Sequence, residues 1–148
     1  MLKKNIKYTD YNGVERDETF FFNLTKAELM EMEMGTTGGL AESIQQIVQA
    51  QDAPSIIKIF KDLILKAYGE KSADGKRFVK INDAGVALSI GFSQTEAFSQ
   101  LFMELATDPD AAANFIKGII PGDIDISDAE LKLAEAKVTG VHFEDNNQ

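Results

Sequence analysis

The sequence predicts a mainly α fold: a compact bundle of about five to six short helices preceded by an N-terminal β-hairpin, which is α+β by strict count. Three observations carry this. Strand-like alternation on either side of an Asn-Gly turn signal occurs near the N-terminus. Apolar residues recur at helical spacing over most of the chain that follows. Three Ser/Thr-x-x-Glu boxes, opening at Thr25, Ser93 and Ser127, mark helix starts.

The hairpin is expected over 3–23. "KKNIKYT" alternates through Ile6 and Tyr8, and "VERDETFFFN" is aromatic and strand-like. Between them, Asn12-Gly13 is the pair that a primed two-residue turn favours, because both positions need positive φ. A lone hairpin is marginal in water. Phe20, Phe21 and Phe22 are therefore the expected contact with the rest of the chain.

In "LTKAELMEMEMGTTGGL" Met30, Met32 and Met34 alternate with Glu31 and Glu33, as in a half-buried strand. The Thr25/Glu28 box, with Leu24 and Leu29 at the positions of a hydrophobic staple, outweighs that alternation. A cap contributes roughly 1 kcal/mol. The reading is a helix over about 26–34, stopped by Gly35. At ~100° per residue, Ala27, Met30 and Met34 fall on one side and Leu29 and Met32 nearly opposite. One stripe can face the core; the other either packs under the hairpin or meets a partner. "GTTGG" lacks the Lys and the preceding strand of a phosphate loop, so it reads as a helix stop and joint.

A second helix is expected over about 39–51, with Leu40, Ile44, Ile47 and Val48 on one face. A third, over about 54–68, is apolar around more than half its circumference and reads as the central helix. "GEKSADGKRF" holds Asp74-Gly75 and reads as an exposed loop or small hairpin. "INDAGVALSIGF" (81–92) is ambiguous. The box at Ser93 opens a helix over about 94–106, with Phe98, Leu101, Phe102 and Leu105 at core spacing. Asp108 and Pro109 start another over about 109–119. The box at Ser127 opens a short helix over about 128–138.

The 148 residues fit one globular domain over 1–121, followed by an acidic segment, 122–148, with a short, weakly docked helix and a frayed tail. The net charge is −9. Residues 122–148 alone hold Asp123, Asp125, Asp128, Glu130, Glu135, Glu144 and Asp145 against Lys132 and Lys137. Such a balance opposes binding to nucleic acid or an anionic membrane. No apolar run approaches the ~18 residues of a membrane span, and the N-terminus lacks the apolar region of a signal peptide. With no cysteine there is no disulfide, thiolate site or Cys nucleophile.

No constellation for catalysis emerges. His142 is the one histidine and stands alone in a polar stretch. "DIDISDAELKLAE" alternates acids, but its sixth residue is Asp128 rather than the glycine of a calcium loop, and its twelfth is Ala134. Acids at helix N-termini complement the helix dipole instead. The reading is a binding protein, not an enzyme, with no cofactor and no metal.

Three strings in order, "KYTDYNGVERDETFFFNLTKAELMEME", "GGLAESIQQIVQAQDAPSIIKIFKDLILKAYGEKSADGKRF" and "FSQTEAFSQLFMELATDPDAAANFIKGIIP", resemble the tail assembly chaperones of long-tailed, siphovirus-like bacteriophages. The likeness covers roughly 3–121. Residues 81–92 depart from its acidic, more helical pattern, and 122–148 have no counterpart in it.

The resemblance implies a chaperone, in the host cytoplasm and absent from the mature virion. It would bind the tape-measure protein and keep it soluble while tail-tube subunits polymerise around it. The resemblance further implies a longer, frameshifted form that recruits tail tube protein, and it leaves room for self-association. A client rich in apolar helical stripes suits an adaptable methionine surface. Leu29 and Met32, or Phe98, Phe102 and Phe115, are the expected partner-binding residues, with burial in the core as the competing role. The alternative function is a structural virion component of the tail or head–tail connection.

Overall fold

The computed structural model describes residues 1–35 and 53–121. The expectations for 39–51, 128–138, the Gly38-Gly39 joint and His142 lie outside the described residues. Among the described residues the fold is α+β, with five helices and a four-stranded antiparallel sheet.

Strands β1 (Leu2–Thr9) and β2 (Glu15–Phe22) pair over their whole length, from Leu2 opposite Phe22 to Thr9 opposite Glu15. The turn differs from expectation. Gly13 N–H donates to Asp10 O (3.0 Å), so Tyr11-Asn12 is the centre and Gly13, at φ +80°, follows it. Asp10 decides this. One carboxylate oxygen accepts from the Asn12 and Val14 N–H groups, both at 2.9 Å, and the other accepts from Arg16. The Val14 N–H and then the Arg16 hydrogen bond hold the Asp10 carboxyl below its ordinary range.

"NDAGV" repeats "DYNGV". Asn82 Oδ1 accepts from Ala84 and Val86 N–H, Gly85 N–H donates to Asn82 O, and Gly85 sits at φ +79°. The ambiguous stretch 81–92 is thus a tight loop closed by an Ile81–Ala87 bridge, followed by the short helix α3 (Leu88–Ser93).

Helix α1 (Lys26–Met34) carries the full capping box. Thr25 Oγ1 accepts from Glu28 N–H at 3.1 Å, and Glu28 Oε1 accepts from Thr25 N–H at 2.9 Å. Helix α2 (Ala53–Ala67) stops one residue short of expectation, because Tyr68 enters strand β3 (Tyr68–Lys71). Among its described side chains the buried ones, Leu63, Ile64 and Ala67, lie at its C-terminal end, and Ile59 and Phe60 pack half-buried against the same core. β3 pairs with β2 through Phe21–Gly69 and Phe22–Tyr68, and turns through Ser72–Gly75 into β4 (Phe78–Val79). Of the two readings of this stretch, exposed loop or small hairpin, the hairpin is found, and it extends the expected two strands to four.

Helix α4 (Glu96–Thr107) is capped by Thr95, whose hydroxyl oxygen accepts from Phe98 N–H, rather than by Ser93. Ser93 ends α3, and its hydroxyl donates back to Ile90 O. Asp108 caps α5 (Pro109–Ile119) as expected, accepting from Asp110 and Ala111 N–H.

The core lies between the sheet and the helices. Phe22, with no exposed surface, meets Tyr68, Phe92 and Phe115 edge-on at centroid distances of 5.8, 5.8 and 5.2 Å. Tyr68 and Phe92 stack at 4.2 Å. Edge-to-face contacts of this kind add ~0.5–1.5 kcal/mol each beyond burial.

The end of β2 joins this core to three helices. Asn23 N–H donates to Ala67 O and Leu24 N–H to Ile119 O, both at 2.8 Å, so two helix C-termini gain partners for carbonyls that the helices leave open. Lys80 completes the junction. Its ammonium donates to Asn23 O (2.7 Å), Lys66 O (2.8 Å) and Glu28 Oε2 (2.7 Å), using all three N–H bonds. Glu28 feels two opposing effects. Desolvation pushes its carboxyl up, but the hydrogen bonds from Lys80 and Thr25 N–H, with the Lys80 charge, leave it below its ordinary 4.5.

Three measurements check this account. Gly69→Ala places a Cβ 2.6 Å from the Phe78 ring and 2.9 Å from Val79 O. Backbone as well as side chain must yield, so urea unfolding should show a loss of about 1–3 kcal/mol. Lys80→Met leaves a carboxylate and two carbonyls without their cation and should lower stability by about 1–3 kcal/mol in the same assay, partial exposure holding it to the low end. Glu28 has a depressed folded pKa, so its contribution is complete above 4.5 and lost as pH falls through the lower folded value. In acid titrations, Glu28→Gln should flatten the fall in melting temperature below that pH.

Candidate functional surface

Helix α1 is the element that the sequence singled out, and its position is unusual. None of its residues is fully buried. It is attached through the Thr25 box, the Lys80–Glu28 ion pair and the half-buried Leu29 and Met32, which pack against the core. The two apolar stripes are therefore told apart. Leu29 and Met32 turn inward, while Ala27, Met30 and Met34 turn outward; Met30 is 64% and Met34 80% exposed. The outer stripe has i, i+3, i+7 spacing and is bordered by the exposed Glu31 and Glu33.

Of the other expected partner residues, Phe98 and Phe115 are buried within the core, and Phe102 is half-buried at its margin, 6.0 Å from Phe98 between centroids. The structure brings Phe98, Phe102 and Phe115 together with Leu29 and Met32 around one core, the inner role weighed for them. The stripe expected to meet a partner, Leu29 and Met32, is thus the inner one, and the exposed Met30 and Met34 were not among the expected partner residues. Helical spacing separated the two stripes, but it carried no signal for which would be covered.

A small hollow of about 120 Å³ lies between β1 and α4, lined by Lys4, Ile6, Lys7, Gln100, Leu101 and Glu104 among others. Lys4 and Glu104 pair across it at 2.6 Å. Its volume is below the ~300 Å³ at which small-molecule pockets begin. Among the described residues no group of three or more His, Cys, Asp or Glu side chains could hold a metal ion, and no helix is long and apolar enough to cross a membrane.

Against this geometry, comparison with known proteins gives one result. The family model described as phage tail assembly chaperone matches residues 1–147. Neither the curated proteins nor the solved structures include a match. The family match runs past the 3–121 region of resemblance and takes in the acidic C-terminal segment. With nearly its whole length matched, the chain belongs to the phage tail assembly chaperone family.

Proposed function

We propose that this chain binds the tape-measure protein of a siphovirus-like phage and keeps it soluble in the host cytoplasm while the tail tube assembles. The role is binding, without a chemical step. The observation that carries the reading, beyond family membership, is the outward methionine stripe of α1. A long helical client offers many unlike apolar stripes, and methionine adapts to them because it is unbranched and polarizable. The i, i+3, i+7 spacing suits a helical partner. Leu29 and Met32 anchor the stripe from beneath, and the margin residue Phe102 lies on the same core. A longer frameshifted form would recruit tail tube protein, and neither form would remain in the virion.

Co-expression with a tape-measure fragment tests the site. Fully burying one methionine is worth roughly 1.5–3 kcal/mol, so Met30→Asp with Met34→Asp should weaken capture at least ~10-fold. Both side chains are exposed, so the melting temperature should stay near that of the parent. Undiminished solubilisation by this folded double variant would place the client elsewhere. Mass spectrometry of purified phage should find no stoichiometric copy of the chain; finding one would support a structural tail or head–tail component instead.

A further inference from the structure

The sheet has a second face, turned away from the core. The register places Lys3 opposite Phe21, Phe21 opposite Gly69, and Lys71 opposite Phe78, so these side chains share that face. Gly69 leaves room for the Phe78 ring, which crosses it. Phe21 and Phe78 are half-buried yet lie outside the core cluster. Lys71 Nζ stands 6.0 Å from the Phe21 ring centroid. Lys3 and Lys71 are exposed, and neither forms an ion pair among the described residues. The result is a cationic, aromatic end to this face, on a chain of net charge −9; further along β1 and β2 the same face carries Lys7 opposite Asp17, and Glu15.

The chain itself supplies its complement. Helix α5 ends beside the start of β1: a Cβ on Gly118 would lie 2.8 Å from the Leu2 side chain, and Ile119 O accepts from Leu24 N–H. Pro121, the last described residue, thus lies three residues beyond the contact of Gly118 with Leu2, the neighbour of Lys3. The remaining stretch, 122–148, holds seven acids against two lysines, together with Ile124, Ile126, Leu131, Leu133 and Phe143. Four strands ~4.8 Å apart span roughly 15 Å, which about five extended residues cover. Reach is no obstacle.

We propose that the acidic segment 122–148 docks on the outer face of the sheet, its carboxylates meeting Lys3 and Lys71 and its apolar side chains meeting Phe21 and Phe78. The family match includes this segment up to residue 147, as expected if it is part of the working molecule. Charged contacts of this exposure are screened by salt, so docking is reversible.

The test uses the full chain as an equal mixture of ordinary and heavy-nitrogen protein, treated with a zero-length carbodiimide that couples lysine amines to carboxylates. Expected are links within one chain from Lys3 and Lys71 to acids of 122–148, in excess over links from Lys58 and Lys61, and their loss in high salt. Mixed-isotope links would mean that a second copy covers the face, and links without preference for Lys3 and Lys71 would mean that the segment does not dock there; either overturns the proposal. Hydrogen exchange gives an independent reading. Lys3→Glu with Lys71→Glu, at exposed positions, should speed exchange of the 122–148 amides several-fold at unchanged melting temperature. Unchanged exchange overturns the proposal as well.

Discussion

The Lys80 ammonium ties together parts of the chain that share no local sequence relation. Its three hydrogen bonds reach the end of β2 at Asn23, the last turn of α2 at Lys66, and the first turn of α1 at Glu28. Each acceptor is one that its own element leaves open. The Lys66 carbonyl belongs to a helix C-terminus, and the Glu28 carboxylate keeps one oxygen after serving its capping box. A partly buried cation is tolerated there because every N–H is used and a carboxylate balances its charge. Lys80 also lies 5.8 Å from the centroid of the Phe78 ring, which couples the clamp to the outer face of the sheet.

This clamp explains how a helix with no fully buried residue keeps a defined place. Most helices are held by an apolar face sunk in a core, and burial decides their orientation. α1 has two weak apolar stripes, so burial alone would hold it loosely. The capping box fixes its first turn, the ion pair fixes that turn to the sheet, and Leu29 and Met32 settle its rotation. Met30 and Met34 are outward as a consequence. The result is a set of accessible apolar side chains presented by an element that is anchored but not consumed by the core.

Local chemistry was legible wherever neighbours in sequence are neighbours in space. The Thr25/Glu28 box, the Asp108-Pro109 start and the Asp74-Gly75 turn need only short-range hydrogen bonds, and the structure has all three. Two local readings shifted because a competing local bond won. Asp10 captures two backbone N–H groups and moves the turn centre to Tyr11-Asn12, and Ser93 bonds backward to Ile90, leaving Thr95 to cap α4. The family, too, was legible, because ordered strings of unusual composition carry it.

What the sequence determined by itself was therefore the α+β class, the starts of α1, α2, α4 and α5 to within a residue or two, and the inward face of α4; α3 was not foreseen. Long-range pairing decided the rest. β3 and β4 join the hairpin only because Gly69 admits the Phe78 ring and Tyr68 reaches Phe22. The choice between the two stripes of α1 depends on Lys80, fifty-two residues away, which anchors Glu28. Periodicity reports which side chains lie on one face of a helix, but burial is a property of what the folded chain brings against that face.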